Sequence, residues 1–354
     1  MTSSAVSSLV EPGNLTPADI RRAREDNPKI RERDLAAMLG ISEAVYVAAW
    51  CGMTATRIEP RVADLLTGLE ALGEVMALTR NDSAVHEKIG VYDGVKVSER
   101  GVIIVGEMID LRIRSQAWFH GFAVEKQAGD KISRSIQIFD ACGDAVHKVH
   151  LRPDSNIDAY QRLVAKLTSE DQSPSVEIAP KPAPVPSPAL SDADVVRFRD
   201  SWAALSNVHE FNALLREFGL NRHAALLHIT DEFGWRLDND ALAAMMKLAA
   251  SEQTPVMCFV ASSGVTQIHS GSMVEIKEMG PWINVLDPTF HLHLRLDHVK
   301  ELWALRKPTG DGHVTSIEAY DGNENLIIQF FGLRHRGESE RNDWRFLVEN
   351  LPRL

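Results

Sequence analysis

Helix-like and strand-like patterns of apolar residues succeed one another twice along this chain. Apolar positions at helical spacing surround Gly40 in one half and Gly219 in the other. Each glycine predicts the end of a helix, and Ser42 or Asn221, two residues later, predicts the N-cap of the next one. Both halves are therefore predicted to begin with helices.

The strand patterns repeat at an offset close to 180 residues. The matched segments are Val75–Leu78 with Val256–Phe259, Asp110–Arg114 with His291–Arg295, and Ser135–Asp140 with Ser316–Asp321. Alternation of apolar and polar residues predicts strands, and a long period of self-similarity predicts an internal duplication.

The order of the elements predicts an α+β fold in which each half has N-terminal helices followed by a large, mainly antiparallel sheet. Helices are expected to close the halves at Ile157–Leu167 and Asn342–Leu351, the second with Trp344, Phe346 and Leu347 in the core. Prolines between Asp171 and Asp192 predict a semi-rigid linker between the halves. The expected domains are residues 1–170, the linker 171–190, and residues 191–354.

Composition narrows the function classes. The formal net charge of -11 argues against nucleic acid as a partner, because a negative field repels polyanions. Cys51, Cys142 and Cys258 form neither a disulfide framework nor a C-x-x-C zinc site. The first residues lack the pattern of a signal peptide, and no apolar run is long enough for membrane insertion. A cytoplasmic location is expected.

The duplication helps to distinguish residues that the fold requires from residues that a functional site requires, since a residue required by the fold should recur in both halves. His209 does not recur, because its counterpart falls near Ile30. The Asn207–Glu210 pattern is that of a capping box, which places His209 in the first turn of a helix whose apolar stripe is Phe211, Leu214, Leu215 and Phe218. A lone neutral imidazole suits haem iron better than zinc, because a porphyrin supplies four ligands itself.

Two other patterns suggest alternatives. His291 and His293 share one face of a predicted strand and raise the question of a separate metal site, but a third ligand is missing nearby. The stretch Arg31–Trp50 is similar to a helix-turn-helix, which would make the protein a DNA-binding regulator. Its second helix carries neither Arg nor Lys, so this alternative is remote.

Three segments carry a resemblance to a known family. These are the Val208–Phe211 helix start, the Trp303–Pro308 strand and the Gln329–Arg334 strand. With the duplicated length, they resemble the cytoplasmic haem-utilisation proteins of Gram-negative haem-uptake operons, which traffic or degrade haem. The resemblance covers essentially the whole chain.

The resemblance implies haem b as ligand or substrate, bound between the halves with His209 as axial ligand of the iron. It places Arg112 on the distal side, with Arg114 as the alternative on the same strand. The residues implied to meet the propionates or line the pocket are Arg222, Lys307, Gln329, Phe331 and Arg334. The chain departs from the family pattern at Phe331, where tyrosine is common, and at Asn212, where an aromatic residue or a second histidine is common.

The implied function is to accept imported haem and to direct it to degradation for iron acquisition, with a haem oxygenase and the cytoplasmic side of a haem importer as partners. The alternative is a haem-degrading monooxygenase that opens the ring itself with an external reductant, with Arg112 as a catalytic residue. The sequence does not separate carrier from enzyme.

Overall fold

The computed structural model describes residues 15–98, 101–310, 312–335 and 338–354, without the side chains of Ala128 and His209. Its helices are α1 (Pro17–Asp26), α2 (Glu32–Met38), α3 (Glu43–Ala48), α4 (Val62–Leu69), α5 (Ile157–Leu167), α6 (Asp192–Ala203), α7 (Phe211–Phe218), α8 (Arg222–Leu226), α9 (Ala241–Ser251) and α10 (Asn342–Glu349). Short 3-10 turns lie at Glu70–Leu72, Ser115–Ala117, Val208–Glu210 and Leu296–His298.

The helices and strands follow one another in the same order in both halves. Those of the first half are β1 (Ala55–Ile58), β2 (Val75–Arg80), β3 (Ala84–Gly90), β4 (Val95–Ser98), β5 (Gly101–Val105), β6 (Asp110–Ile113), β7 (His120–Ala128), β8 (Lys131–Phe139) and β9 (Ala145–Leu151). Those of the second are β10 (Gly234–Leu237), β11 (Val256–Ala261), β12 (Val265–Gly271), β13 (Ile276–Met279), β14 (Trp282–Leu286), β15 (Phe290–Arg295), β16 (Glu301–Thr309), β17 (Gly312–Tyr320) and β18 (Leu326–Gly332).

The strands form two antiparallel sheets, and each sheet is shared between the halves. The first has the order β1-β7-β8-β9-β2-β3-β15-β14-β13, and the second β10-β16-β17-β18-β11-β12-β6-β5-β4. Each sheet thus takes six strands from one half and three from the other. The exchange brings β6 of the first half beside β12 of the second, and β15 beside β3.

The predicted α+β class and internal duplication are confirmed. Local capping explains why the helices begin and end alike in both halves. Gly40 and Gly219 each have φ of +67°, a left-handed conformation that glycine adopts without strain. The Ser42 hydroxyl accepts from the Val45 N–H at 3.4 Å, and the Asn221 side chain accepts from the Ala224 N–H at 2.7 Å.

Each sheet has an inner face packed in a hydrophobic core and an outer face partly covered by a three-helix unit. Helices α4 and α5 pack in the first core, and α9 and α10 in the second. In α10, Trp344 and Leu347 are buried, as predicted. The prediction that Phe346 is a core residue was wrong: it is 71% exposed, because it lies two residues from Trp344 and so on the opposite side of the helix.

The chain between the halves is held to both of them. Residues 169–191 contain neither helix nor strand. Lys181 pairs with Asp144 of the first half at 2.6 Å, and the Ser187 hydroxyl accepts from the Asn221 N–H of the second at 2.8 Å. The predicted division into residues 1–170, 171–190 and 191–354 stays a prediction. None of the described helices has the length and apolar character needed to cross a membrane.

Candidate functional site

The outer face of the second sheet carries most of the residues singled out in the sequence. Cross-strand pairing places one row of side chains on this face, since directly paired residues of antiparallel strands point to the same side. The row runs through Glu318, Gln329, Phe259, Ile268 and Asp110. Arg112 lies on the same face, two residues beyond Asp110. Gln329 and Asp110 are three strands apart, about 14 Å at the usual strand spacing.

At one end of this face, the carboxylate of Glu318 is the centre of a buried polar cluster. It accepts from Arg222 Nη1 at 2.7 Å, from Lys307 Nζ at 2.8 Å and from Gln329 Nε2 at 2.8 Å. The Tyr320 hydroxyl donates to its other oxygen at 2.8 Å. Three of the predicted propionate contacts, Arg222, Lys307 and Gln329, are therefore brought together.

The cluster keeps a positive charge. Burial alone would raise the pKa of Glu318, but the charges of Arg222 and Lys307 outweigh burial and hold it well below the ordinary value. Two cations and one carboxylate leave one formal positive charge in the cluster. A single uncompensated cation at a partly buried edge favours binding of a carboxylate group.

Beside the cluster lies a strip of apolar side chains that the helices leave accessible. The rings of Phe331 and Phe259 are 5.0 Å apart, and both are partly exposed, as is Met257. On β5, the strand next to the edge of the same sheet, Ile103 is 38% exposed and Val105 46%. An apolar wall with polar groups converging at one end is typical of a site for a flat amphipathic ligand.

Helix α7 covers the charged end of this face. The predicted stripe of Phe211, Leu214, Leu215 and Phe218 is buried, which confirms that prediction. The Phe211 ring lies 4.8 Å from the guanidinium carbon of Arg222 and 4.9 Å from Lys307 Nζ. The first residue of α7 therefore lies immediately beside Arg222 and Lys307.

His209 lies two residues before Phe211, in the 3-10 turn Val208–Glu210 rather than in the first turn of the α-helix. The Glu210 carboxylate accepts from the Asn207 N–H at 3.3 Å, which is one half of the expected capping box. The Gly310 N–H donates to the Ser206 carbonyl at 2.9 Å and ties the turn to the end of β16. The side chain of His209 lies outside the described part of the structure, so its role as iron ligand stays a prediction.

The two candidate arginines of the first half differ in their partners. Arg112 is 46% exposed, and among the acidic residues that the structure describes it pairs with Asp110, two residues earlier on the same strand. Arg114 donates through Nε to the Ser263 carbonyl at 2.8 Å and through Nη2 to the Ser262 carbonyl at 2.5 Å. Arg114 is therefore held by the turn between β11 and β12, whereas Arg112 is not bonded to that turn; the distal role of Arg112 stays a prediction.

Arg334 follows the end of β18 and is not part of the Glu318 cluster. Its side chain makes no hydrogen bond or ion pair with any other residue that the structure describes. Phe331 lies with its ring 5.5 Å from Lys307 Nζ, at the junction of the charged cluster and the apolar strip. The predicted role of Arg334 toward a propionate and the predicted role of Phe331 in cofactor binding both stay predictions.

The alternative interpretations find little geometric support. The second helix of the supposed helix-turn-helix, α3, buries Ala44, Tyr46, Val47 and Ala48 against the first sheet, so it presents no reading face to DNA. Within the described ranges, no group of three or more His, Cys, Asp or Glu side chains could hold a metal ion, which leaves His291 and His293 without a third ligand.

Sequence reasoning missed Glu318, the residue that organises the site. The sequence held one signal, a glutamate in the middle of a strand. In the structure the residues on either side of Glu318 in that strand are buried, and its own carboxylate is fully buried as well. A buried carboxylate requires cationic partners, and Lys307 occupies the neighbouring strand.

Comparison with known proteins places the chain among close relatives. The family model described as the haemin-degrading HemS.ChuX domain matches twice, over residues 40–167 and 219–351. The hemin transport proteins HmuS of Yersinia pestis and HemS of Yersinia enterocolitica are 34% and 35% identical to this chain. The alignments cover 94% and 93% of this chain and 95% of each relative.

Solved structures give the same result. Holo-PhuS, a heme-binding protein from Pseudomonas aeruginosa, superposes with a TM-score of 0.92 at 42% identity, covering 96% of this chain and 100% of that one. ChuS, described as an E. coli heme oxygenase, superposes with a TM-score of 0.85 at 30% identity, covering 94% and 98%. The resemblance inferred from the sequence is confirmed: the chain belongs to the HemS/ChuX family of haemin-degrading domains and contains that domain twice.

Proposed function

We propose that this protein binds haem on the outer face of the second sheet and carries it to degradation for iron acquisition. The proposal rests on one observation. An accessible apolar strip and a cluster with one uncompensated positive charge lie side by side on the same sheet face. Haem has the matching properties, since it is a flat apolar plate with carboxylates at one edge. The names of the relatives, hemin transport and heme-binding proteins, support this reading.

In this arrangement the propionate edge lies toward Arg222 and Lys307, which already share Glu318 and keep one positive charge for an incoming carboxylate. The ring plane lies against Phe259 and Phe331. His209 enters from the helical side on the turn that precedes Phe211, and Arg112 enters from the exchanged strand β6. The two halves thus contribute to one site through the shared sheet.

A hemin titration of the purified protein tests the proposal. We expect a saturable change in the Soret region, without light scattering, because specific ligation gives a defined spectrum whereas surface adsorption does not saturate. The comparison variant is Phe331→Asp. It places a second carboxylate beside the cluster and is expected to weaken hemin binding at least tenfold. Scattering that grows without saturation in the unaltered protein would contradict the proposal.

The distal role of Arg112 gives a separate prediction. Arg112→Ala is expected to leave hemin affinity within about threefold and to weaken azide binding to the hemin complex about tenfold or more, because a charge-assisted hydrogen bond contributes roughly 1.5–3 kcal/mol. Arg152→Ala serves as the control, since Arg152 pairs with Glu74 in the first half. Equal loss of hemin and azide binding would assign Arg112 to the propionates instead.

A second candidate function is opening of the haem ring by this protein itself. ChuS, at 30% identity, is described as a heme oxygenase, and Arg112 stands on the accessible face where a distal residue would act. Incubation of the hemin complex with ascorbate under air separates the functions: a degrading enzyme converts the spectrum to an open-chain product, and a carrier keeps an intact haem spectrum. For a carrier we further propose a cytoplasmic location, with a haem importer as donor and a separate haem oxygenase as acceptor.

A further inference from the structure

The two sheets meet along a seam of buried polar side chains. Strands β2 and β3 of the first sheet pack against β11 and β12 of the second, inner face to inner face. A buried polar group without a partner costs free energy, so the bonding at this junction decides how firmly the sheets are joined. The side chains that we call the seam are those of Thr79, His86, Lys88, Gln267 and His269.

The seam brings equivalent positions of the two copies into contact. The registers of β2 with β3 and of β11 with β12 make Lys88 equivalent to His269, and His86 equivalent to Gln267. Lys88 Nζ lies 3.1 Å from His269 Nδ1, and Gln267 Nε2 donates to the Ala77 carbonyl at 3.0 Å. Different residues at the same position of each copy thus join one sheet to the other.

The bond between Lys88 and His269 exists only while the imidazole is neutral. An ammonium group has donors and no acceptor, so His269 Nδ1 accepts the bond and the ring proton lies on Nε2. A second proton would turn Nδ1 into a donor and place two cations 3.1 Å apart. Burial and the charge of Lys88 lower the pKa of His269 to about 3, which keeps the ring neutral in the folded chain.

His86 lies in surroundings that do not accommodate a charge. Its side chain is fully buried, and neither ring nitrogen has a hydrogen-bond partner among the described residues. The ring of Phe290 lies 4.9 Å from that of His86 and is stacked on His269 at 3.7 Å. Burial, together with the charges of His269 and Lys88, holds the pKa of His86 well below the ordinary value.

A further proton at the seam would find no carboxylate in contact with it among the described residues. Asp287 is the acidic residue whose charge reaches Lys88. Its oxygens accept from the backbone N–H groups of Val274 and Glu275, at distances of 2.8 to 3.2 Å. Lys88 forms no ion pair within the described ranges, so the seam already carries one cation without a counter-charge in contact.

The other titratable groups around the two imidazoles are neutral. From β9, His147 bonds Thr79 Oγ1 at 2.9 Å and the Tyr92 hydroxyl at 2.5 Å, and burial lowers its pKa to about 3. From β11, the Cys258 thiol is fully buried opposite His269, and burial raises its pKa. Acidification can therefore only add positive charge to the seam.

We propose that the seam is an acid-sensitive lock between the two sheets, closed while His86 and His269 are neutral and opened when either imidazole takes up a proton. In the open state β3 and β12 move apart, because the contact with Lys88 is lost and a charged ring must reach water. The lock lies on the inner faces of the sheets and does not rest on the proposed haem function.

The lock implies a pH response of defined sign. A histidine titrates near pH 6.5 in an unfolded chain, whereas His86 and His269 bind protons in the folded chain only at much lower pH. Their contribution to stability is therefore complete above about pH 6.5 and decreases as the pH falls toward the folded pKa. For one such histidine, the unfolding equilibrium constant rises about 30-fold between pH 7.5 and pH 5.

Urea unfolding of the full chain without hemin, at pH 7.5 and at pH 5, tests the lock. His86→Gln introduces the residue of the second copy, and it should reduce the acid-induced rise of the unfolding equilibrium constant about 30-fold. His269→Gln should do the same, because an amide oxygen still accepts from Lys88. His335→Gln is the matched control, since His335 is exposed and should leave the rise unchanged. A full rise in both seam variants would overturn the lock.

The reactivity of Cys258 locates the opening in the unaltered protein, so this measurement does not depend on how well a variant folds. A pyridyl disulfide, which reacts with thiols in acid, should label Cys258 at pH 5 and not at pH 7.5. Cys51, which is buried in the helical unit of the first half, is the internal control and should stay protected at both pH values. Protection of Cys258 at pH 5, or equal labelling of both thiols, would overturn a local lock. Both measurements are made without hemin, so their failure leaves the haem proposal untouched, and a failure of hemin binding leaves the lock standing.

Discussion

Replacement of His209 by alanine is expected to remove the sharp Soret band of the complex at the second sheet and to weaken hemin binding there more than about 100-fold. Loss of a residue that merely orients a metal ligand already costs 10–100-fold in affinity, so loss of the ligand itself should cost more. The turn that carries His209 is tied to β16 and leads directly to Phe211 beside Arg222 and Lys307. Absorbance titration at matched protein concentrations measures the change.

His228→Ala is the matched control for this variant. His228 belongs to the same helical unit, and its hydrogen bonds with other described residues are made by its backbone: its N–H donates to the Ala225 carbonyl at 3.2 Å, and its carbonyl accepts from Arg199 Nε at 2.6 Å. The control should bind hemin as the unaltered protein does. If His209→Ala retains both the band and the affinity, the iron ligand at the second sheet must be sought elsewhere.

The second large effect is expected from Glu318→Gln, which should lower the free energy of unfolding by about 3–5 kcal/mol at pH 7, because it leaves Arg222 and Lys307 without a buried counter-charge. Chemical denaturation followed by circular dichroism measures the difference. Glu275→Gln removes an exposed pair with Lys277 and should cost less than about 1 kcal/mol. Equal effects of the two changes would contradict the assigned role of Glu318.

The pH dependence of this difference has a defined sign. The pKa of Glu318 is lower in the folded chain than in the unfolded chain, where a glutamate titrates near pH 4.3. Its stabilising contribution is therefore fully present above about pH 4.3 and decreases as the pH falls toward the folded pKa. The difference between the unaltered protein and Glu318→Gln should be constant from pH 7 to 5 and shrink below pH 4. A difference that grows on acidification would contradict the assignment.

The candidate site shows which functional residues can be identified from the sequence and which cannot. Arg222, Lys307 and Gln329 were placed at one site by family resemblance, and the structure brings them together, but around a carboxylate that the resemblance did not point to. Arg112 and Arg114 share a strand face in the sequence, and only the turn carbonyls of Ser262 and Ser263 distinguish them. Side-chain partners from distant segments are invisible to local spacing.

The sequence by itself determined the α+β class, the duplication and the positions of the helix caps, because periodicity, glycine C-caps and Ser or Asn N-caps act within a few residues of chain. Tertiary structure alone decided that β4–β6 and β13–β15 leave their own halves and complete the opposite sheets. Alternation fixes which face a strand buries but not which edge it joins, since backbone hydrogen bonds are the same for every partner. That exchange brings β6, with Arg112, beside β12 of the other half, so the residues of the candidate site come together only in the assembled fold.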